Sequence, residues 1–85
     1  MTIGSALKSA RKETGMTQDE LAQVLSRHPG CPSSVESLSR FERGDTCPTD
    51  PALRVLLSVL DVPEAYHDGV YRLAREWRLA AAGAP

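Results

Sequence analysis

The chain has 85 residues, of which 41% are hydrophobic and 25% charged, with a net charge of −1, which fits one small globular domain with a thin core. The near balance of ten basic and eleven acidic side chains and a pI of about 6.1 count against indiscriminate binding to polyanions, which needs a basic surface. No apolar run approaches the ~20 residues of a membrane span, and no charged-then-apolar leader pattern opens the chain, so a cytoplasmic protein with no membrane contact is expected.

Ile3, Ala6, Leu7 and Ala10 recur at i, i+3, i+4 and i+7, which predicts a first helix over about residues 4–14 with a single buried stripe. Lys8, Arg11 and Lys12 lie off the stripe, Gly15 ends the helix, and Met16 is expected in the core. Thr17 followed by Glu20 is a capping box that opens a second helix over 17–26, with Leu21, Val24 and Leu25 on its buried face. The segment Arg27–Ser33 holds Pro29, Gly30 and Pro32 and cannot be regular. His28 and Cys31 raise a zinc reading with Cys47 and His67 as further ligands. A zinc site normally shows two tight ligand pairs, and one loose H-x-x-C stands here, so no metal is expected. A Cys31–Cys47 disulfide is a second alternative, and two free thiols are the expectation.

A third helix is predicted over 34–43, because Val35, Leu38 and Phe41 recur every third residue and Gly44 supplies a left-handed stop. Glu36, Ser37, Ser39 and Arg40 leave its outer face wet. Two alternatives stay open: Ser33 and Glu36 also form a capping box, and Val35 also continues the core spacing. A short helix with a hydrogen-bonding face, held against a preceding helix, is the helix-turn-helix solution for reading DNA, whose major groove admits one α-helix.

TQDELA at Thr17–Ala22 and S-x-x-x-x-L-S-R-F-E-R-G at Ser33–Gly44 resemble the lambda-repressor/Cro (XRE) class of helix-turn-helix domain, over roughly Ser5 to Val62. The turn Arg27–Pro32 is about six residues longer than is usual in that class. By register with the class, Val35, Glu36, Ser37 and Arg40 are the base-contacting candidates. Arg40 suits guanine O6 and N7, Glu36 suits cytosine N4, and Val35 suits a thymine methyl. Gln18, Arg27, Ser34, Ser39, Arg43 and Thr46 are the phosphate-contacting candidates, with His28 an alternative to Arg27. The resemblance also implies a partly buried ion pair between Arg11 and Glu42. In the class the segment after E-R-G runs along phosphates; here it reads DTCPT, an acid with no base.

Asp50 as cap and Pro51 at the first helical position predict a fourth helix over 50–60. Leu53, Leu56, Leu57 and Leu60 make its main face, and Val55 and Val59 a second patch. Asp61-Val62-Pro63 breaks the chain. A C-terminal helix is expected over 63–80 on the spacing of Tyr66, Val70, Leu73, Ala74 and Trp77, with Gly69 able to bend it and Asp68 an alternative start. Trp77 either closes the intrachain core or anchors a dimer. Residues 81–85 are expected to fray.

The expected fold is all-α: a compact five-helix domain with a DNA-binding core over 1–62 and a longer helix over 63–80 for core completion or dimerisation. Val59, Tyr66, Val70, Leu73 and Trp77 are the dimer candidates. No catalytic constellation or phosphate loop appears, so neither an enzyme nor a cofactor is expected. The chain leaves no room for a sensor domain. The first reading is a homodimeric regulator binding double-stranded DNA at a near-palindrome. The alternatives are an antitoxin of the same fold that binds its operator and also a toxin, through its C-terminal helix, and a helical interaction module that has lost DNA binding.

Overall fold

The computed structural model describes residues 1–83. The helices are α1 (Ile3–Glu13), α2 (Gln18–Leu25), α3 (Val35–Arg43), α4 (Asp50–Val59) and α5 (His67–Ala82), with a single 3-10 turn at Glu64–Tyr66. Five α-helices, with no strand among the described residues, make this the expected all-α fold.

A hydroxyl side chain sets the start of each of the first four helices. At α1, Thr2 Oγ1 accepts from the Ser5 amide at 3.1 Å, and Ser5 Oγ accepts from the Thr2 amide at 3.0 Å. This T-x-x-S box begins the helix ahead of the start read from the apolar stripe. Thr17 and Glu20 form the equivalent box at α2, at 3.1 and 3.0 Å. At α3 the cap is Ser34 and not Ser33, so Glu36 lies outside the capping geometry. The two serines compete for one cap. Ser37 favours the later one, because its amide and its hydroxyl both bond Ser34 Oγ, at 3.1 and 2.9 Å. At α4 the cap is Thr49, whose Oγ1 accepts from the Ala52 amide at 3.4 Å. Asp50 and Pro51 therefore sit in the first turn, where a carboxylate meets the positive end of the helix and a missing N–H costs nothing.

Three helix ends, at Gly15, Gly44 and Asp61, reverse the chain sharply. Gly44 has φ +83°; its amide donates to Phe41 O at 3.1 Å and the Asp45 amide to Arg40 O at 2.9 Å, the paired bonds of a Schellman motif. The end of α4 repeats this without glycine. Asp61 has φ +53°, its amide bonds Ser58 O at 3.1 Å, and the Val62 amide bonds Leu57 O at 3.0 Å. The long turn before α3 is ordered as well. Cys31 N–H donates to His28 O at 3.2 Å across Pro29 and Gly30, proline then left-handed glycine being type II turn chemistry. Cys31 then packs on the edge of the core.

Ile3 and Leu7 of α1, Leu21 and Leu25 of α2, Leu38 and Phe41 of α3, and Leu53, Leu56, Leu57 and Leu60 of α4 and its end meet in one core, which Ala74 of α5 completes. α1 lies against the end of α3 at Gly4, where a Cβ would come within 2.5 Å of Phe41 O and 2.9 Å of Glu42 O, so this approach needs glycine.

The C-terminal helix departs from the sequence expectation. Pro63–Tyr66 is a separate tight turn, α5 begins at His67 without a side-chain cap, and Asp68 lies within its first turn. His67 Nε2 lies 2.8 Å from Val62 O and ties this start to the preceding turn. Near the other end, Trp77 Nε1 donates to Gly44 O at 2.9 Å, and Arg78 Nη2 bonds Pro48 O at 2.8 Å and Asp50 Oδ1 at 2.9 Å. These ties hold α5 on the α3–α4 connection. Gly69 does not interrupt α5, which runs through Ala82; residues 84 and 85 of the stretch expected to fray lie outside the described residues.

Candidate nucleic-acid interface

Leu38 and Phe41 anchor α3 inward. Val35, Glu36, Arg40 and Arg43 are consequently exposed and Ser37 and Ser39 half-buried. Val35 is 40% exposed, so it does not continue the core stripe but leaves an apolar side chain in water beside charged ones. Positions four apart on a helix are neighbours, and α3 uses that spacing twice. Arg40 Nη2 donates to Glu36 Oε1 at 2.6 Å. Arg43 Nη1 donates to Ser39 Oγ at 3.2 Å, while its Nε reaches Asp45 Oδ2 at 3.1 Å just beyond the helix. Both arginines of the face are thus held by an acid from the same short stretch. Arg27 is exposed after α2, and Thr46 is half-buried in the loop after Gly44.

Beneath this face lies a bonded cluster that joins three helices. Arg11 grips both oxygens of Glu42, Nε to Oε2 at 2.7 Å and Nη2 to Oε1 at 2.9 Å. Its Nη1 donates to Met16 O at 2.8 Å. Gln18 Nε2 donates to Glu42 Oε1 at 3.2 Å. The side chains of Arg11 and Glu42 are 11% and 8% exposed. Burial pushes the Glu42 carboxyl up, but the bonds from Arg11 and Gln18 and the charges of Arg11 and Lys8 outweigh it, so the group titrates below the ordinary glutamate range. The bond to Glu42 raises the Arg11 guanidinium. The sequence reading sends the Gln18 side chain to a phosphate. In the structure its amide nitrogen is committed to Glu42, whose Oε1 accepts from it as well as from Arg11.

An open apolar groove of about 750 Å³ runs between α1 and α5. Ala6, Ala10, Leu60, Tyr66, Val70 and Leu73 line it, with Glu13, Asp61, Arg72 and Glu76 around it. Tyr66 is 65% exposed there. Three of the dimer candidates therefore share one surface. All but Tyr66 also pack against the intrachain core; Val59 does so outside this groove, and Trp77 gives its indole N–H to Gly44 O.

Cys31 and Cys47 are free thiols, and burial pushes both upward, which keeps them protonated and weakly nucleophilic. Among the described residues no three His, Cys, Asp or Glu side chains meet to hold a metal ion. No described helix is long and apolar enough to cross a membrane.

Sequence reasoning missed the partnership of Asp45 with Arg43, having counted Asp45 only as an acid in a base-free loop; its position two residues after an exposed arginine was the available signal. It also missed Arg78, whose bonds to Pro48 and Asp50 span a long stretch of chain and leave no local pattern.

A protein-family model described as helix-turn-helix matches residues 7–67, from the middle of α1 to the start of α5. Comparisons with curated proteins and with solved structures returned no match.

Proposed function

Because the chain belongs to the helix-turn-helix family of the lambda-repressor/Cro type, a DNA-binding family, we propose that it is a sequence-specific transcriptional regulator of double-stranded DNA. It acts as a homodimer, a small repressor or autoregulator on a near-palindromic operator in the cytoplasm. The observation that supports this most directly is α3: nine residues anchored by Leu38 and Phe41, turning Val35, Glu36 and Arg40 outward. A helix of this kind fits the major groove. There Arg40 makes two bonds to guanine O6 and N7, Glu36 accepts from cytosine N4, and Val35 packs on a thymine methyl, with Ser37 beside them. Ser34, Ser39, Arg43, Arg27, Thr46 and the start of α2 at Gln18 meet the phosphates. Two copies place their α3 helices one DNA turn apart, ~34 Å, and the α1–α5 groove is the surface that a second copy covers. Repression follows from occupying promoter DNA.

Selection of sites from a random duplex pool at about 150 mM salt tests this reading. The expected result is a two-fold symmetric motif whose G·C preference disappears at one position per half-site in the Arg40→Ala protein. A pool that returns unenriched from folded protein sinks the reading and turns attention to protein partners of the groove.

A further inference from the structure

The two arginines on the outer face of α3 are not presented as bare cations. Arg40 is closed onto Glu36 at 2.6 Å. Arg43 is closed onto Asp45 at 3.1 Å. Both pairs are well exposed, at 52% and 73% for Arg40 and Glu36 and 61% and 57% for Arg43 and Asp45, so neither contributes much to stability. Their effect falls on what the face binds. A phosphate must compete with a carboxylate already in place for each guanidinium, and the face as a whole brings no net positive charge to a polyanion.

We infer that Glu36 is a specificity-determining residue that filters DNA in two ways, by holding Arg40 away from phosphates and by requiring, on the base it faces, an amino group with no acceptor beside it. The inference rests on the reading of α3 as the base-reading helix. In the groove, Arg40 can leave Glu36 for guanine without loss only if the carboxylate gains another donor. Cytosine N4 offers one with no acceptor beside it; adenine N6 offers one next to the acceptor N7, and thymine O4 and guanine O6 and N7 offer only acceptors, which repel a carboxylate. A desolvated carboxylate without a donor is costly. Each half-site therefore carries a guanine for Arg40 next to a cytosine for Glu36, and sites lacking the cytosine are rejected although Arg40 alone would accept them. Asp45 acts on Arg43 in the simpler sense, lowering its grip on phosphate of any sequence.

The test compares wild type with E36Q and D45N in site selection and in titrations against the selected duplex and a scrambled one across a salt series. E36Q removes one negative charge from an exposed position and leaves the fold unchanged by circular dichroism. Its expected behaviour is tighter binding to scrambled DNA with a log–log salt slope steeper by about 0.9. It also loses the cytosine preference while keeping the guanine, and its ratio of specific to scrambled affinity falls about tenfold. D45N tightens binding to both duplexes equally and keeps the motif. A wild type that enriches a motif which E36Q reproduces with an unchanged ratio overturns the filter and leaves the DNA reading standing. A wild type that enriches no motif overturns both.

Discussion

Glu42 is the side chain that ties α1, α2 and α3 together. Its carboxylate takes two bonds from Arg11 of α1 and one from Gln18 of α2, while the residue itself lies in the last turn of α3. Three helices are thereby fixed relative to one another at one point. Two buried charges are expensive to desolvate, and the pair is more valuable as a register device than as a source of stability, whereas loss of one partner strands the other. Glu42→Gln is therefore expected to lower stability at pH 7 by about 3 kcal/mol. Because the folded carboxyl titrates below its unfolded value, the contribution of its ionised form is complete above the ordinary glutamate range, near pH 4.3, and is lost as pH falls through the lower folded value. Urea midpoints of the two proteins should accordingly converge as pH drops below about 4. A gap that stays constant with pH would show that shape, and not charge, makes the difference. The presence of this pair was legible only through the resemblance of E-R-G to a known pattern, since nothing in the local sequence of Arg11 points to a partner 31 residues away.

At the level of the elements, each boundary is decided within four or five residues, and that is why most of the helical layout can be read from the chain alone. The capping box at Thr17 and the glycine stop at Gly44 are local hydrogen-bond patterns that fold as written. Starts shifted by one residue, at Ser34 and Thr49, arise where two adjacent cap residues compete and a neighbouring group decides between them. What resisted reading is contact between elements. Gly4 looks like an ordinary weak helix residue until α3 is laid over it, and nothing in the local pattern around Trp77 points to Gly44 O, to which its indole nitrogen donates. The end of α4 shows a local rule met imperfectly. Asp61 adopts φ +53° in a motif that favours glycine, at a strain that aspartate tolerates better than most residues. Asp61→Gly should relieve it without disturbing the two closing bonds. The expected gain is about 0.5–1 kcal/mol, read as a rise in melting temperature of about 3–6 °C. An unchanged or lower melting temperature would mean that the Asp61 side chain contributes something that the backbone conformation does not reveal.

On the scale of the whole molecule, charge and size set the problem the protein has to solve. A net charge of −1 and an outer face of α3 whose arginines are already paired give little of the phosphate attraction that supplies non-specific affinity. A single short helix offers few base contacts. In the proposed homodimer tight binding comes from linking two such helices, because a second half-site bound by a tethered copy adds affinity without new contacts, by a factor of 10² or more in general. The α1–α5 groove is the surface proposed above for that link, and Tyr66 is its most exposed aromatic, at 65%. Tyr66→Glu tests the idea cleanly, since an exposed side chain at the end of a tight turn can carry a charge without disturbing the monomer. Across a two-fold interface the same carboxylate is desolvated opposite its own copy, which is unfavourable. Sedimentation of this variant should give monomer at concentrations where wild type is a dimer. Affinity for a duplex with two half-sites should fall about 100-fold, while affinity for a single half-site stays as it was. If the variant remains dimeric and binds both duplexes as wild type does, the groove faces something other than a second copy.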